Sequence, residues 1–476
     1  MPDIDVDFAD IYRDKIFTYL SDKYGYEHVA RIVAFQTFGA KQALRDTTSV
    51  FGYNTAQADE ICKTIPNNFN AGKYDLNYAY DNIPAFKEVI ESRRVDYKDI
   101  IFKYAHLIEG LPRQKGLHAA GVVLNNDALP GIMPLTYDPQ QVTQFEKDYL
   151  EEQGFLKFDI LGLNHLTIIT NCLSSIKINR GLAVDLEKID YNDEAIYKLI
   201  LNNSTMGIFQ LDTSAALQAI NSIKPTCFAD IVATISLDRP GPQKQIPVYS
   251  QRKNQHQRII YPDKSLTNIL KETYGIIIYQ EQIMQIARVF SGFSFAQADL
   301  FRRAISKKHK DEMLKMKDDF IKGAIKNQHD VKTANSIFNL IENFANYGFN
   351  KSHAVCYAKI AIQEAYLKAF YAPEFYTAIL DQKYGSDDAR FTKYIAEMKR
   401  NNISILLPNV NESTTSFRLV DGKLLMPLTG INRFPRQIIE NIILERDTNG
   451  KFTSVKNFVV RMHTSGTVLS DKSYAS

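Results

Sequence analysis

The residues best placed to do chemistry stand at the start of the chain. Met1 to Phe8 reads Met-Pro-Asp-Ile-Asp-Val-Asp-Phe, so carboxylates at Asp3, Asp5 and Asp7 alternate with Ile4, Val6 and Phe8. In an extended strand the side chains point to alternate faces, which puts the three acids on one face and the apolar side chains on the other. Three carboxylates this close repel each other, and a divalent cation relieves the repulsion. Mg²⁺ takes carboxylate oxygen and bridges to substrate phosphates. A solvated edge strand with idle acids is the other reading of the same pattern. A further acid, Asp159, sits inside the apolar stretch Gly-Phe-Leu-Lys-Phe-Asp-Ile-Leu-Gly-Leu, residues 154–163. A lone charge in such a strand is costly unless it is paired or bound to a metal. Lys157, two residues earlier on the same face, offers a salt bridge; alternatively Asp159 joins Asp3 and Asp5 around a metal.

Positive charge concentrates elsewhere. Net charge is only +3, yet Leu300 to Lys310 holds Arg302, Arg303, Lys307, Lys308, His309 and Lys310 without an acid. That run is either a solvated helix face or a phosphate-binding strip. The chain has 476 residues, 45% hydrophobic and 23% charged, which suits two to four soluble domains. No apolar run is long enough to span a bilayer and no signal-peptide pattern opens the chain, so a cytoplasmic protein is expected. Cys62, Cys172, Cys227 and Cys356 are far apart, without a Cys-x-x-Cys pair, and the nine histidines are scattered. Buried thiols are expected, with neither disulfides nor zinc.

The elements that must position these residues follow from periodicity. Ile11, Ile16, Phe17 and Leu20 predict a helix over about 11–26. Residues 29–36, 118–124, 142–145 and 155–160 read as strands able to join residues 3–7 in one sheet. A helical insertion is expected between about 40 and 111, and helices dominate from Leu163 onward. An Asp-Gly pair at 421–422 predicts a hairpin within 419–428. A last helix is expected at about 436–446, with a frayed tail from 464. A strand at residue 1 has nothing before it to flank it in a sheet, so either the chain is a fragment or another strand protects its edges.

Taken in order, these motifs resemble the bacterial replicative DNA polymerases of the C family, the DNA polymerase III alpha subunits. The resemblance rests on Pro2–Phe8, Lys157–Leu163, His118–Val123, Val142–Glu146, Gly207–Leu211, Arg239–Pro242, Tyr274–Gln282, Phe301–Ala304 and Tyr347–His353. It runs over roughly residues 1–425, and the Gly-Phe-Asn-Lys-Ser-His form is similar to the DnaE type rather than the PolC type. It implies an α+β fold: a partial palm like that of polymerase-beta nucleotidyltransferases at 1–35 and 112–164, a helical thumb at 36–111, and large, mostly helical fingers at 165–425. Residues 426–476 would begin the helix-hairpin-helix and clamp-binding region. The family's PHP domain and the first half of its palm, with the Gly-Ser motif that holds the triphosphate, are not in these residues; the chain is expected to be an incomplete core, N-terminally and C-terminally. Residues 430–436 lack the second glycine usual in a helix-hairpin-helix turn.

By the same resemblance Asp3, Asp5 and Asp159 would hold two Mg²⁺ ions about 4 Å apart, and Asp7 would be structural. Lys157, Arg302, Arg303, Lys307 and Lys308 would contact the incoming deoxynucleoside triphosphate, with Tyr347, Asn350, Lys351 and His353 near the nascent base pair. Arg239, Arg113 and Lys115 would contact DNA. His118 reads either as a hydrogen-bonded sheet residue or as a catalyst. The implied activity is DNA-directed DNA polymerisation on primer–template DNA, alongside a sliding clamp, a clamp loader and other replisome subunits. A DNA-binding module without catalysis and an error-prone relative of the same family are the alternatives.

Overall fold

The acidic–apolar alternation at the start of the chain folds as strand β1 (Ile4–Ala9). The computed structural model describes residues 4–66, 75–92, 97–137, 140–239, 241–307, 310–345, 348–384, 388–431 and 434–465. It divides after Leu163 into two units.

In the first unit β1 is followed by helix α1 (Arg13–Tyr24), then by β2 (Val29–Thr37), β3 (Pro112–Leu124), β4 (Leu135–Tyr137), β5 (Gln141–Thr143) and β6 (Lys157–Leu163). These six strands form one sheet in the order β1-β6-β3-β2-β5-β4. β6 thus lies between β1 and β3, parallel to the first and antiparallel to the second. It covers one edge of β1; no described strand pairs with the other. Phe8 and Phe158 pack with buried Ile160, Val122 and Val29 beneath Ile16, Phe17 and Leu20 of α1. The sheet's other face is covered over β2 and β3 by Leu129, Met133 and Leu150, packed on Ala30, Ile32 and Val123. Alternation then directs Asp5, Asp7, Lys157 and Asp159 to that second face, at the end the apolar cover does not reach.

Between β2 and β3 the chain leaves the sheet for the helices of Ala40–Ile108, as the helical periodicity predicts. They enclose their own core, including Leu44, Ile61, Leu76, Phe86, Ile90 and Ile101. Asn54 starts one helix with a reciprocal cap: its side chain accepts from Gln57 N at 2.9 Å, and Gln57 Oε1 accepts from Asn54 N at 3.0 Å.

Gly121 of β3 stands opposite Asp159. A methyl group there would lie 2.7 Å from Ile32 Cδ1 and 2.8 Å from His118 Nδ1. Gly121→Ala is therefore expected to destabilise the first unit by about 1–3 kcal/mol through overpacking. Chemical denaturation reads this directly, and an unchanged midpoint would refute the tight approach.

The second unit is built around the helix Lys351–Phe370. Its small residues Ala354, Ala358, Ala361 and Ala365 are buried with Ile231, Ile235, Ile276 and Ile278. A separate aromatic cluster joins Phe290, Phe301, Phe320 and Phe338, with Phe301 and Phe320 stacked at 5.5 Å. Further on, β7 (Ile405–Leu406), β8 (Arg418–Val420) and β9 (Lys423–Leu425) make a small sheet. Asp421 and Gly422 have φ of 49° and 73°, the left-handed pair that a two-residue hairpin demands. The expected helix at 436–446 spans Arg436–Asn449, and a second one, Val455–Thr464, follows it. That second helix corrects the expectation that the first was the last. No described helix is long and apolar enough to cross a membrane.

Candidate active site

The parallel pairing of β1 and β6 sets Asp5 directly beside Asp159. Both strands are held in this register by the apolar face on α1, because a one-residue slip would turn Phe158 and Ile160 away from it. Asp7 lies further along, opposite Leu161. Asp3 is outside the described residues.

Lys157 Nζ and Asp159 Oδ2 form an ion pair of 2.9 Å, and both side chains are largely buried, 11% and 13% exposed. The other carboxylate oxygen, Asp159 Oδ1, is buried without a hydrogen-bond partner among the described residues. Buried acceptors are rarely left in that condition. An oxygen lacking a positive partner, beside a second carboxylate on the neighbouring strand, is a donor set that suits a hard divalent cation. Among the described residues no group of three or more His, Cys, Asp or Glu is assembled, so Asp3 is the residue that would complete the expected trio.

His118 is a hydrogen-bonded sheet histidine. Its Nδ1 accepts the Gly121 N–H at 2.7 Å and the Ala120 N–H at 3.3 Å, which leaves the ring proton on Nε2. Arg113 and Lys115 lie on the exposed first half of β3. Arg113 pairs with Asp46 at 2.8 Å, and Lys115 Nζ donates to Thr136 Oγ1 at 3.1 Å.

In the second unit the basic run begins on the helix Phe295–Lys307. Ala298, Phe301 and Ile305 are buried in the aromatic cluster, so Asp299 and Arg303 point away from it and Arg302 lies at its edge. Asp299 joins the two arginines: Oδ1 accepts from Arg302 Nε and Nη2 at 3.1 and 2.8 Å, and Oδ2 meets Arg303 Nη2 at 2.9 Å. The Arg302 hydrogen bonds, more than any other influence, hold the Asp299 carboxyl below its ordinary pKa. Lys307 ends the helix, and its side chain, like Lys308 and Tyr347, lies outside the described residues.

Arg302 reaches the Gly-Phe-Asn-Lys turn through one side chain. Its Nη1 donates to Gln280 Oε1 at 3.2 Å, and Gln280 Nε2 donates to Gly348 O at 2.9 Å. The backbone repeats the connection, since Gln280 N donates to Phe349 O at 2.9 Å and Phe349 N to Ile278 O at 3.2 Å. Asn350 then caps the next helix by accepting the His353 N–H at 3.0 Å. Glu281 receives the Lys351 N–H, while Lys351 Nζ lies 2.8 Å from both Glu272 oxygens. The Arg239 guanidinium sits 4.3 Å from the Phe349 ring centre, and the His353 ring 4.0 Å from Tyr357. The second unit therefore brings together Arg239, Arg302, Arg303, Asn350, Lys351 and His353. Sequence reasoning missed Gln280 and Asp299. The signal for Asp299 was its spacing, three and four residues before the arginines.

Comparison with known proteins agrees with this division. Residues 1–162 match the model of the bacterial DNA polymerase III alpha NTPase domain, and residues 165–328 that of the bacterial DNA polymerase III alpha subunit finger domain. Residues 402–471 match a helix-hairpin-helix motif. DNA polymerase III subunit alpha of Bacillus subtilis (strain 168) is 40% identical over 449 residues, covering 94% of this chain and 40% of that protein. The Campylobacter jejuni protein of the same name is 39% identical, over 96% of this chain and 39% of its own length. The one from Staphylococcus aureus (strain NCTC 8325 / PS 47) is 38% identical, over 97% and 43%. The chain belongs to the bacterial DNA polymerase III alpha family, and it spans about two fifths of the length of the curated relatives it matches.

Proposed function

We propose that this chain carries the nucleotidyl-transfer centre of a replicative DNA-directed DNA polymerase. The observation that supports this most is the pairing of Asp5 with Asp159, whose buried Oδ1 has no partner among the described residues, in a chain of this family. In the reaction the primer 3′-oxygen bonds to the α-phosphorus of a deoxynucleoside triphosphate as the bond to pyrophosphate breaks. Asp3, Asp5 and Asp159 are the residues that would hold Mg²⁺, two ions in all, and Mg²⁺ supplies charge neutralisation and a lower pKa for the 3′-hydroxyl. Phosphoryl transfer asks little covalent chemistry of the protein; placement and charge carry it.

The chain's own residues then have distinct tasks. Lys157, anchored on Asp159, offers its ammonium to the substrate phosphates. Arg302 and Arg303, with Lys307 and Lys308, grip the triphosphate, for which the guanidinium fork is suited. Tyr347, Asn350, Lys351 and His353 lie by the nascent base pair, while Arg239, Arg113 and Lys115 bind primer–template DNA. In this reading the first unit is palm with a thumb inserted in it, the second begins with the fingers, and the helix-hairpin-helix region adds DNA contacts. The partners are those of a replicative polymerase: a sliding clamp, its loader and other replisome subunits.

Primer extension with Mg²⁺ and four deoxynucleotides tests the proposal. It is run on this chain and on the chain extended to the full length of its relatives. Extension by at least one form is expected. Tight DNA binding without extension by either would leave a DNA-binding module. In the active form Arg302→Ala is expected to raise the nucleotide KM by about tenfold or more, the scale of a lost charge-assisted hydrogen bond. Primer–template affinity should stay within about twofold, and a loss confined to DNA affinity would contradict the triphosphate role.

A further inference from the structure

The Gln280 side chain hydrogen-bonds both Arg302 and the Gly348 carbonyl. Its position is fixed from both sides. It opens the helix Gln280–Ser291, whose start is organised by Gln282 Oε1 accepting from Ile278 N at 2.8 Å and Tyr279 N at 3.0 Å. Its own backbone N–H is bonded to Phe349 O. The Arg302 guanidinium donates to Asp299 from Nε and Nη2 and to Gln280 from Nη1, so the two side chains hold different edges of it. A methyl group on Gly348 would lie 3.1 Å from Gln280 Cγ, so the turn and this side chain are in close contact.

We propose that Gln280 is a positioning residue that aims Arg302 at the triphosphate and ties that grip to the turn Gly348–Lys351. This rests on Arg302 being a phosphate contact, the reading given above. Without Gln280 the guanidinium keeps its charge and its bonds to Asp299 but loses the hold on its Nη1 edge. The amide of Gln280, with one acceptor and two donors, supplies that hold without adding a charge that would compete with phosphate. The same amide makes a shift of the turn move Arg302, so base-side and phosphate-side contacts respond together. Asp299 complements it: one carboxylate sets the spacing of Arg302 and Arg303.

The test is equilibrium titration of the chain extended to the full length of its relatives with dATP and with inorganic tripolyphosphate, in Mg²⁺, for the unaltered protein, Gln280→Ala, Gln280→Glu, Arg302→Ala and the double variant Gln280→Ala/Arg302→Ala. Gln280→Ala is expected to weaken dATP binding about tenfold and to weaken it no further when Arg302 is already alanine. Gln280→Glu keeps an acceptor for Arg302 but cannot donate to Gly348 O, so it should restore part of the affinity at an unchanged melting temperature. It also serves if the alanine variant does not fold. Additive losses in the double variant, or full affinity in Gln280→Ala when Arg302→Ala has lost it, would overturn the positioning role alone. Unchanged affinity in Arg302→Ala, or no binding by the unaltered extended protein, would overturn the phosphate reading beneath it.

Discussion

Asp159→Asn abolishes primer extension in whichever form of the chain is active, a loss of at least about 100-fold, while primer–template affinity changes by less than about threefold. The lower bound comes from metal sites in general, where loss of a mere outer-sphere partner costs 10–100-fold. The substitution preserves volume, so β6 keeps its place between β1 and β3. It removes the charge, and it leaves either an amide oxygen or an NH₂ group where the buried, unpartnered Oδ1 stands. Neither replaces a carboxylate oxygen toward a hard cation. Lys157 would lose its ionic partner but still find an acceptor. Asp5→Asn should behave alike, since the parallel register puts it at the same level of the sheet. Mn²⁺ titration of this chain gives a second readout, with saturable binding weakened in either variant. Undiminished extension in both would remove the carboxylates from the reaction.

Glu397→Ala should cost the second unit about 3–5 kcal/mol, the usual result of stranding one member of a buried ion pair. Lys368 and Glu397 are 1% and 0% exposed and joined to each other. The Lys368 ammonium also donates to Met206 O at 2.7 Å, and Tyr376 OH donates to Glu397 Oε1 at 2.7 Å. Burial pushes the Lys368 pKa down from 10.5 to about 8, against the pull of Glu397. A lysine lowered in the folded state binds fewer protons there than when unfolded, so its contribution to stability rises with pH between about 8 and 10.5. Without Glu397 the lysine gives up its proton more readily still, and the loss caused by Glu397→Ala should shrink between pH 7 and 9.5. Tyr376 sets the upper limit of the experiment. Burial raises its pKa, so above the ordinary tyrosine value of about 10 it contributes in the opposite sense. Urea denaturation at two pH values checks both sign and size. A loss under about 1 kcal/mol, or one that grows with pH, would refute this account.

These two predictions differ in how far they could be read from sequence. The alternation at residues 3–8 and the pattern around Asp159 are local, and period-two geometry suffices to sort their faces. The choice between an ion pair and a substrate contact for Lys157 was not legible, since spacing alone serves both; the structure shows the ion pair. Asp299 does not stand out in the sequence because the acid-free basic run starts at Leu300, and the acid that organises it stands one residue earlier. The helix Val455–Thr464 was within reach: Val455, Phe458, Val459 and Met462 keep helical spacing, and Ser454 caps it by accepting from Asn457 N at 3.1 Å. Lys368 and Glu397 had no local signal. On a helix, a buried lysine looks like a solvated one until the neighbours arrive, and here they come from segments 162 and 29 residues away.

The place of β6 between β1 and β3 has a consequence in time. A parallel pair cannot be closed by a tight turn, so β1 meets β6 only after α1, β2, the helical insertion, β3, β4 and β5 have been made. At roughly 5–20 residues per second, the interval between synthesis of Asp5 and of Asp159 is on the order of ten to thirty seconds. Throughout it β1 lacks β6 beside it, while α1, the next helix to emerge, is already there to pack on its apolar face. The acid pair is thus among the last features of the first unit to exist, and chemistry cannot start on a half-made sheet.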